Sequence, residues 1–164
     1  MKALKVLVVL LFATLLAACS GSKRPDDHDV NSRNAKSHTD QNASIYPWED
    51  PNNPLYNRII YFDYDKSDVK EEGRTTIATH AKFLAANPNQ RVRLEGHADE
   101  RGSREYNIGL GERRSQAVRR LMVFQGVADH QIETISYGEE KPAVDGHDES
   151  AWAQNRRVEI RYVK

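Results

Sequence analysis

Apolar and polar positions divide the chain into three unlike stretches. Residues 6–16 are apolar apart from Thr14, and Lys2 and Lys5 precede them. Residues 21–44 carry Ser, Asn, Asp, Lys and His with almost no large apolar side chain. From Ile45 onward the pattern becomes periodic, as a packed domain requires. Tyr46-Pro47-Trp48 and the segment between Pro51 and Pro54 read as an irregular lead-in. Residues 58–63 (RIIYFD) are β-branched and aromatic and predict a strand.

The next predicted element is a helix capped at Ser67 or Asp68, with Asp68 and Glu71 at capping-box spacing. Val69, Ile77, Ala81 and Leu84 lie near one of its faces, and Asn87-Pro88 stops it after Ala86. Residues 91–98 alternate. Val92, Leu94, Gly96 and Ala98 take one side, and Arg91, Arg93, Glu95 and His97 the other, a half-exposed strand. A long helix is expected from Ser103 to Gln125, ended by Gly126. Residues 132–137 form a further strand, 138–146 a loop and 149–154 a short helical turn. Residues 156–163 form a last strand with Val158, Ile160 and Tyr162 on one face. Helices between neighbouring strands predict an α/β (α+β) two-layer sandwich, with both main helices on one sheet face.

Composition narrows the function. Hydrophobic residues are 38% and charged residues 29%, which fits a solvated domain. Removing Lys2 and Lys5 with the N-terminal segment leaves 22 basic against 24 acidic residues, a net of about −2. Nothing in that balance attracts nucleic acid, and the basic run Arg113, Arg114, Arg119 and Arg120 is offset by Glu105 and Glu112. Cys19 is the one cysteine, so an internal disulfide is impossible. His80, His97, His130 and His147 sit on separate elements without ligand spacing, and His28 and His38 lie in the polar stretch. No metal or cofactor is expected. Ser103, His97 and Asp99 lack a nucleophile elbow, and Ser103 is more simply a helix cap, so catalysis is not expected either.

The N-terminal segment has the three-part layout of an export signal, and its apolar run is too short to cross a bilayer. Leu15-Leu16-Ala17-Ala18-Cys19 resembles a bacterial lipobox. That resemblance implies cleavage after residue 18 and acylation of Cys19. Ser20, where an Asp would favour the inner membrane, implies sorting to the outer membrane. Residues 19–44 then form a lipidated flexible tether of about 25–30 Å average span, and residues 45–164 the domain.

Within the long helix, Leu110, Ala117 and Leu121 share a stripe, and Arg114 lies about 40° from Leu110 at about 100° per residue. A guanidinium facing the core needs a partner. Asp99, at the end of the preceding strand, or a bound carboxylate are the candidates. Gly109 and Gly111 each weaken the helix by about 1 kcal/mol against Ala, as close approach of a ligand or strand would justify.

Tyr61-Phe62-Asp63-Tyr64-Asp65, residues 95–103 (EGHADERGS), Glu105-Tyr106-Asn107-Ile108, residues 110–114 (LGERR), Ser136-Tyr137-Gly138 with Lys141-Pro142, and residues 155–159 (NRRVE) occur in this order. In these the chain resembles the OmpA-like peptidoglycan-binding domain family, and most closely the peptidoglycan-associated lipoproteins of the Tol–Pal system. The resemblance implies a βαβαββ fold with two main helices on a four-stranded sheet. It also implies non-catalytic binding of the stem peptide's meso-diaminopimelate. Asp99 would accept its ammonium and Arg114 would fork onto its carboxylate. Arg101, Ser103 and Leu110 match further contact positions, and Tyr64 and Asp65 match a loop walling the cleft. Ala98 departs from the threonine common there. The implied partners are peptidoglycan, TolB and other Tol–Pal components, with a role in holding outer membrane to wall and in constriction at division. Cys19→Ser should convert the protein from membrane-bound to soluble, read by fractionation of envelopes; a variant still sedimenting with membranes would remove the lipid anchor.

Overall fold

The computed structural model describes residues 46–164, and the expectations about the export signal, Cys19 and the tether lie outside them. Four strands and three helices follow in the order β1 (Ile59–Tyr61), α1 (Glu71–Ala86), β2 (Arg91–His97), α2 (Arg104–Phe124), β3 (Ile132–Gly138), α3 (Glu149–Asn155) and β4 (Arg157–Val163). The sheet order is β1-β4-β2-β3. β2 pairs parallel with β3 across the α2 crossover, and β4 runs antiparallel to both β1 and β2. The last strand is therefore a central one. Its Val158 and Ile160 are wholly buried, beside Val92 and Leu94 of β2, Ile60 of β1, and Ile77, Leu84, Val118 and Met122 from the helices. The predicted two-layer sandwich, with both main helices over one face, is the observed architecture.

Alternation explains the two faces of the sheet. Val92, Leu94 and Gly96 face the helices. On the other face an ion-pair surface forms, with Arg93 Nε 3.0 Å from Glu133, and Arg161 within 3.5 Å of Glu95 and 2.9 Å of Glu159. The glycine pair earns its place here. A Cβ at Gly96 would sit 2.0 Å from the Gly111 carbonyl oxygen, and one at Gly111 would sit 2.3 Å from Ser136 Oγ. Helix α2 thus lies against the β2 backbone with no side chain between. Strand approach accounts for Gly111, whereas a Cβ at Gly109 would meet only the Arg113 guanidinium at 3.3 Å, and nothing in the structure explains Gly109.

Two expectations need correction. Helix α1 starts at Glu71, with Lys70 as an N-cap lacking a side-chain hydrogen bond, so the Asp68–Glu71 capping box does not form. The segment before it is committed elsewhere, because the Asp63 and Lys66 carbonyls accept from Arg114. His97, expected to point to solvent, is 2% exposed. It does lie on the helix-free face, but the ladder slips between Gly96 and His97, and Tyr137 packs 5.5 Å from the His97 ring.

The lead-in is held by aromatic packing. Trp48 stacks on Tyr162 at 4.0 Å, with Phe83 edge-on at 5.9 Å and Tyr46 stacked outside at 4.9 Å. Beneath them His80 is fully buried. Its Nε2 donates to the Asn57 carbonyl and its Nδ1 pairs with the Tyr162 hydroxyl, both at 2.8 Å, and burial favours the neutral ring.

Gly96→Ala should destabilise the domain by about 3 kcal/mol or more, because backbone on both sides must part; a urea midpoint unchanged from wild type would contradict the close packing. Acid should act through the buried histidines. Burial, with Arg157 nearby, pushes His97 from 6.5 down to about 4, and burial also lowers His80. The folded values lie below the unfolded ones, so this stabilisation is complete above 6.5 and is lost as pH falls through the folded value. For His97 the loss between pH 7 and pH 4 is about 2–3 kcal/mol. His97→Asn should flatten that slope in urea titrations across the interval.

Candidate functional site

The candidate residues gather at one end of the sheet, where β2 ends, α2 begins, and the loop after β1 and helix α3 close in. Asp99 follows β2 directly and is 4% exposed. Its Oδ1 accepts from the Arg101 backbone N–H at 3.1 Å and from Arg101 Nε at 3.2 Å. Its Oδ2 accepts from Arg101 Nη2 at 2.7 Å and from Arg156 Nη1 at 3.3 Å. Burial alone would raise the Asp99 pKa. These hydrogen bonds outweigh it and hold the carboxyl below its ordinary value, so Asp99 is anionic at neutral pH.

Arg114 reaches the same region from the third turn of α2 and is completely buried. Its partners are neutral carbonyls. Nε donates to Lys66 at 2.8 Å, Nη1 to His97 at 2.8 Å and Nη2 to Asp63 at 3.0 Å. The expected anionic partner is thus replaced by three backbone dipoles, and Asp99 takes its direct ion pairs from Arg101 and Arg156. Asp99 still acts on Arg114 through its field. Burial brings the Arg114 pKa down to about 10, with Asp99 opposing. The guanidinium remains charged at neutral pH, and its five N–H groups exceed the three carbonyls it serves.

The other predicted residues divide. Arg101 joins Asp99 directly and has its guanidinium carbon 3.9 Å from the Tyr64 ring centroid. Asp65, at a positive φ of 53° that Asp tolerates, accepts from the Tyr106 hydroxyl and so ties the loop after β1 to α2. Ser103 is the N-cap of α2, its Oγ accepting from the Tyr106 N–H at 3.2 Å. Leu110 is buried one turn before Arg114.

Sequence reasoning missed the contribution of α3. Asp148 caps this short helix, accepting from the Ser150 and Ala151 N–H groups. Trp152 lies 4.0 Å from the Arg101 guanidinium on its ring face, and its Nε1 donates to Glu100 at 2.9 Å. Glu149 accepts from Arg156 and lies 3.7 Å from Arg101. Arg156 also donates from Nε to the Phe62 carbonyl at 3.1 Å. Its place in the Asn155-Arg156-Arg157 run was the available signal, while Trp152, about fifty residues from Asp99, offered none. Beside these residues a depression of about 530 Å³ is lined by Glu100, Glu139, Glu140, Asp145 and His147 among others, but not by Asp99 or Arg114.

This arrangement can hold a ligand by charge and hydrogen bonding, with an ionised carboxylate and a guanidinium on adjoining elements. Comparison with known proteins identifies the family. The OmpA family matches residues 61–156. A peptidoglycan-associated lipoprotein of Pasteurella multocida is 41% identical over 98% of this chain and 99% of its own length. Another, from Pseudomonas putida, is 59% identical over 62% of this chain, which spans 61% of that relative. The crystal structure of the peptidoglycan-associated lipoprotein from Burkholderia pseudomallei superposes with a TM-score of 0.70 at 44% identity, covering 71% of this chain and 99% of that one. The chain belongs to the OmpA family and, within it, to the peptidoglycan-associated lipoproteins.

Proposed function

We propose that this protein is an outer-membrane lipoprotein that binds peptidoglycan non-covalently through the meso-diaminopimelate of the stem peptide. In this reading it is a binding module rather than an enzyme. It works with TolB and other Tol–Pal components, ties the outer membrane to the cell wall and supports constriction at division. The observation that carries the reading is the ionised Asp99 carboxylate held at the same end of the sheet as the buried Arg114 guanidinium, on adjoining elements. The free end of meso-diaminopimelate has an ammonium and a carboxylate on one carbon, the complement of that pair. Family membership supports the same ligand class. Acyl chains at Cys19 and a polar tether would join two attachments on one molecule, so modest affinity for each stem peptide suffices. Among the described residues no helix is long and apolar enough to cross a membrane.

A competing reading makes Asp99 and Arg114 parts of the scaffold in a lipoprotein that binds only a protein partner. The three carbonyl bonds of Arg114 favour it, since they give the guanidinium a structural task. The two readings separate at Asp99→Asn, which keeps the shape and removes the charge. Retention on purified sacculi should fall by at least about tenfold, roughly the 1.4 kcal/mol of one charge-assisted hydrogen bond, with the circular dichroism spectrum unchanged. Undiminished retention would select the scaffold reading. Arg114→Ala is the less clean variant. Leaving the buried His97 carbonyl without this donor should cost about 1–3 kcal/mol, and the cavity left by the buried side chain adds to that loss.

A further inference from the structure

Asp99 is already occupied. A carboxylate offers about four lone-pair sites, and here two are taken by the Arg101 guanidinium, one by the Arg101 backbone N–H and one by Arg156. The two arginines are held differently. The Arg156 side chain is 7% exposed and is anchored to backbone through the Phe62 carbonyl. The Arg101 side chain is 28% exposed and is gripped by side chains alone: the Asp99 carboxylate, the Tyr64 and Trp152 rings, and Glu149 at 3.7 Å. Arg101 can therefore swing away without breaking any backbone-to-backbone hydrogen bond, and Arg156 cannot leave without releasing the Phe62 carbonyl.

We propose that Arg101 is a specificity-determining residue that fills the ammonium position at Asp99, so that a ligand binds only by displacing it. The inference rests on the wall-binding reading above. A lone ammonium merely exchanges one cation for another at Asp99, and it gives up a two-pronged guanidinium fork flanked by two aromatic rings. Such a ligand gains little. A ligand with a carboxylate beside its ammonium compensates, because the incoming anion meets the cations left around Asp99, including the displaced Arg101. The filter therefore rejects simple amines and accepts zwitterionic ends. A lysine side chain differs from the free end of meso-diaminopimelate only in lacking that carboxylate, so these two stem peptides are the discriminating pair. Trp152 is a positioning residue here, since its ring steadies Arg101 and its indole N–H is fixed by Glu100.

The test is calorimetric titration of the protein with two synthetic stem peptides, one carrying meso-diaminopimelate and one L-lysine. Arg101→Ala should bind the lysine peptide about tenfold more tightly than wild type does, and the preference for the diaminopimelate peptide should narrow by a similar factor. Trp152→Leu, which keeps Arg101 but loosens it, should move the ratio the same way by less, and it serves if Arg101→Ala folds poorly. An unchanged or widened preference in both variants, with wild type binding the diaminopimelate peptide through Asp99, overturns the filter alone. Wild-type protein that binds neither peptide overturns the wall-binding reading and the filter with it.

Discussion

The constraint on which the site depends is the burial of one guanidinium. Arg114 has no exposed surface and draws its hydrogen bonds from the carbonyls of Asp63, Lys66 and His97. Those carbonyls belong to two separate pieces of chain, the loop after β1 and the end of β2. A neutral side chain on α2 could not satisfy all three, and unpaired carbonyls in the interior would each cost free energy. The guanidinium thus sets the distance between the two loops, and Asp99 and Tyr64 inherit their positions from it.

A close-packed backbone contact makes this reach possible. Gly96 and Gly111 bring α2 onto β2 with a separation that no side chain permits, and Arg114 is one residue short of a full turn beyond Gly111. Had either position carried a Cβ, the helix would stand off and the His97 carbonyl would move out of range of Arg114. Recognition chemistry and packing are coupled through two glycines.

The layered fold was legible in the sequence because its elements are amphipathic with clean periods. Val92 and Leu94 on β2, and Val158 and Ile160 on β4, announce their buried face by alternation alone. Strand order was not legible. β4 enters the middle of the sheet through long-range pairing with both β1 and β2, which no local pattern encodes. The anomalous charge on the apolar stripe of α2 correctly marked Arg114 as a residue with a special partner. Its partner was misjudged, since electrostatic reasoning from side chains overlooks carbonyl dipoles. His97 was misplaced for a related reason: alternation assigns a side to a residue but not what later covers that side, and here Tyr137 covers it. Trp152 and Glu149 were invisible because α3 is too short for periodicity and meets Asp99 only in three dimensions.

The central β4 connects the two ends of the sheet. Arg156, immediately before β4, braces Asp99, while Tyr162, near its other end, carries the Trp48 stack, and Lys164 pairs with Glu49 at 2.7 Å. Six residue steps along the strand separate Arg156 from Tyr162, about 20 Å at about 3.3 Å per step. The described chain therefore begins at the end of the sheet opposite the cleft. The chain coming from the N-terminal side enters the sheet at β1, an edge strand paired with β4 alone, so a pull from that side reaches β4 through the β1–β4 ladder and the Trp48–Tyr162 stack. Force along a doubly paired strand is shared by many hydrogen bonds in shear, whereas force on an edge strand peels them one at a time. Under the proposed tethering, β1 would meet the load first and the central β4 would back it from inside the sheet.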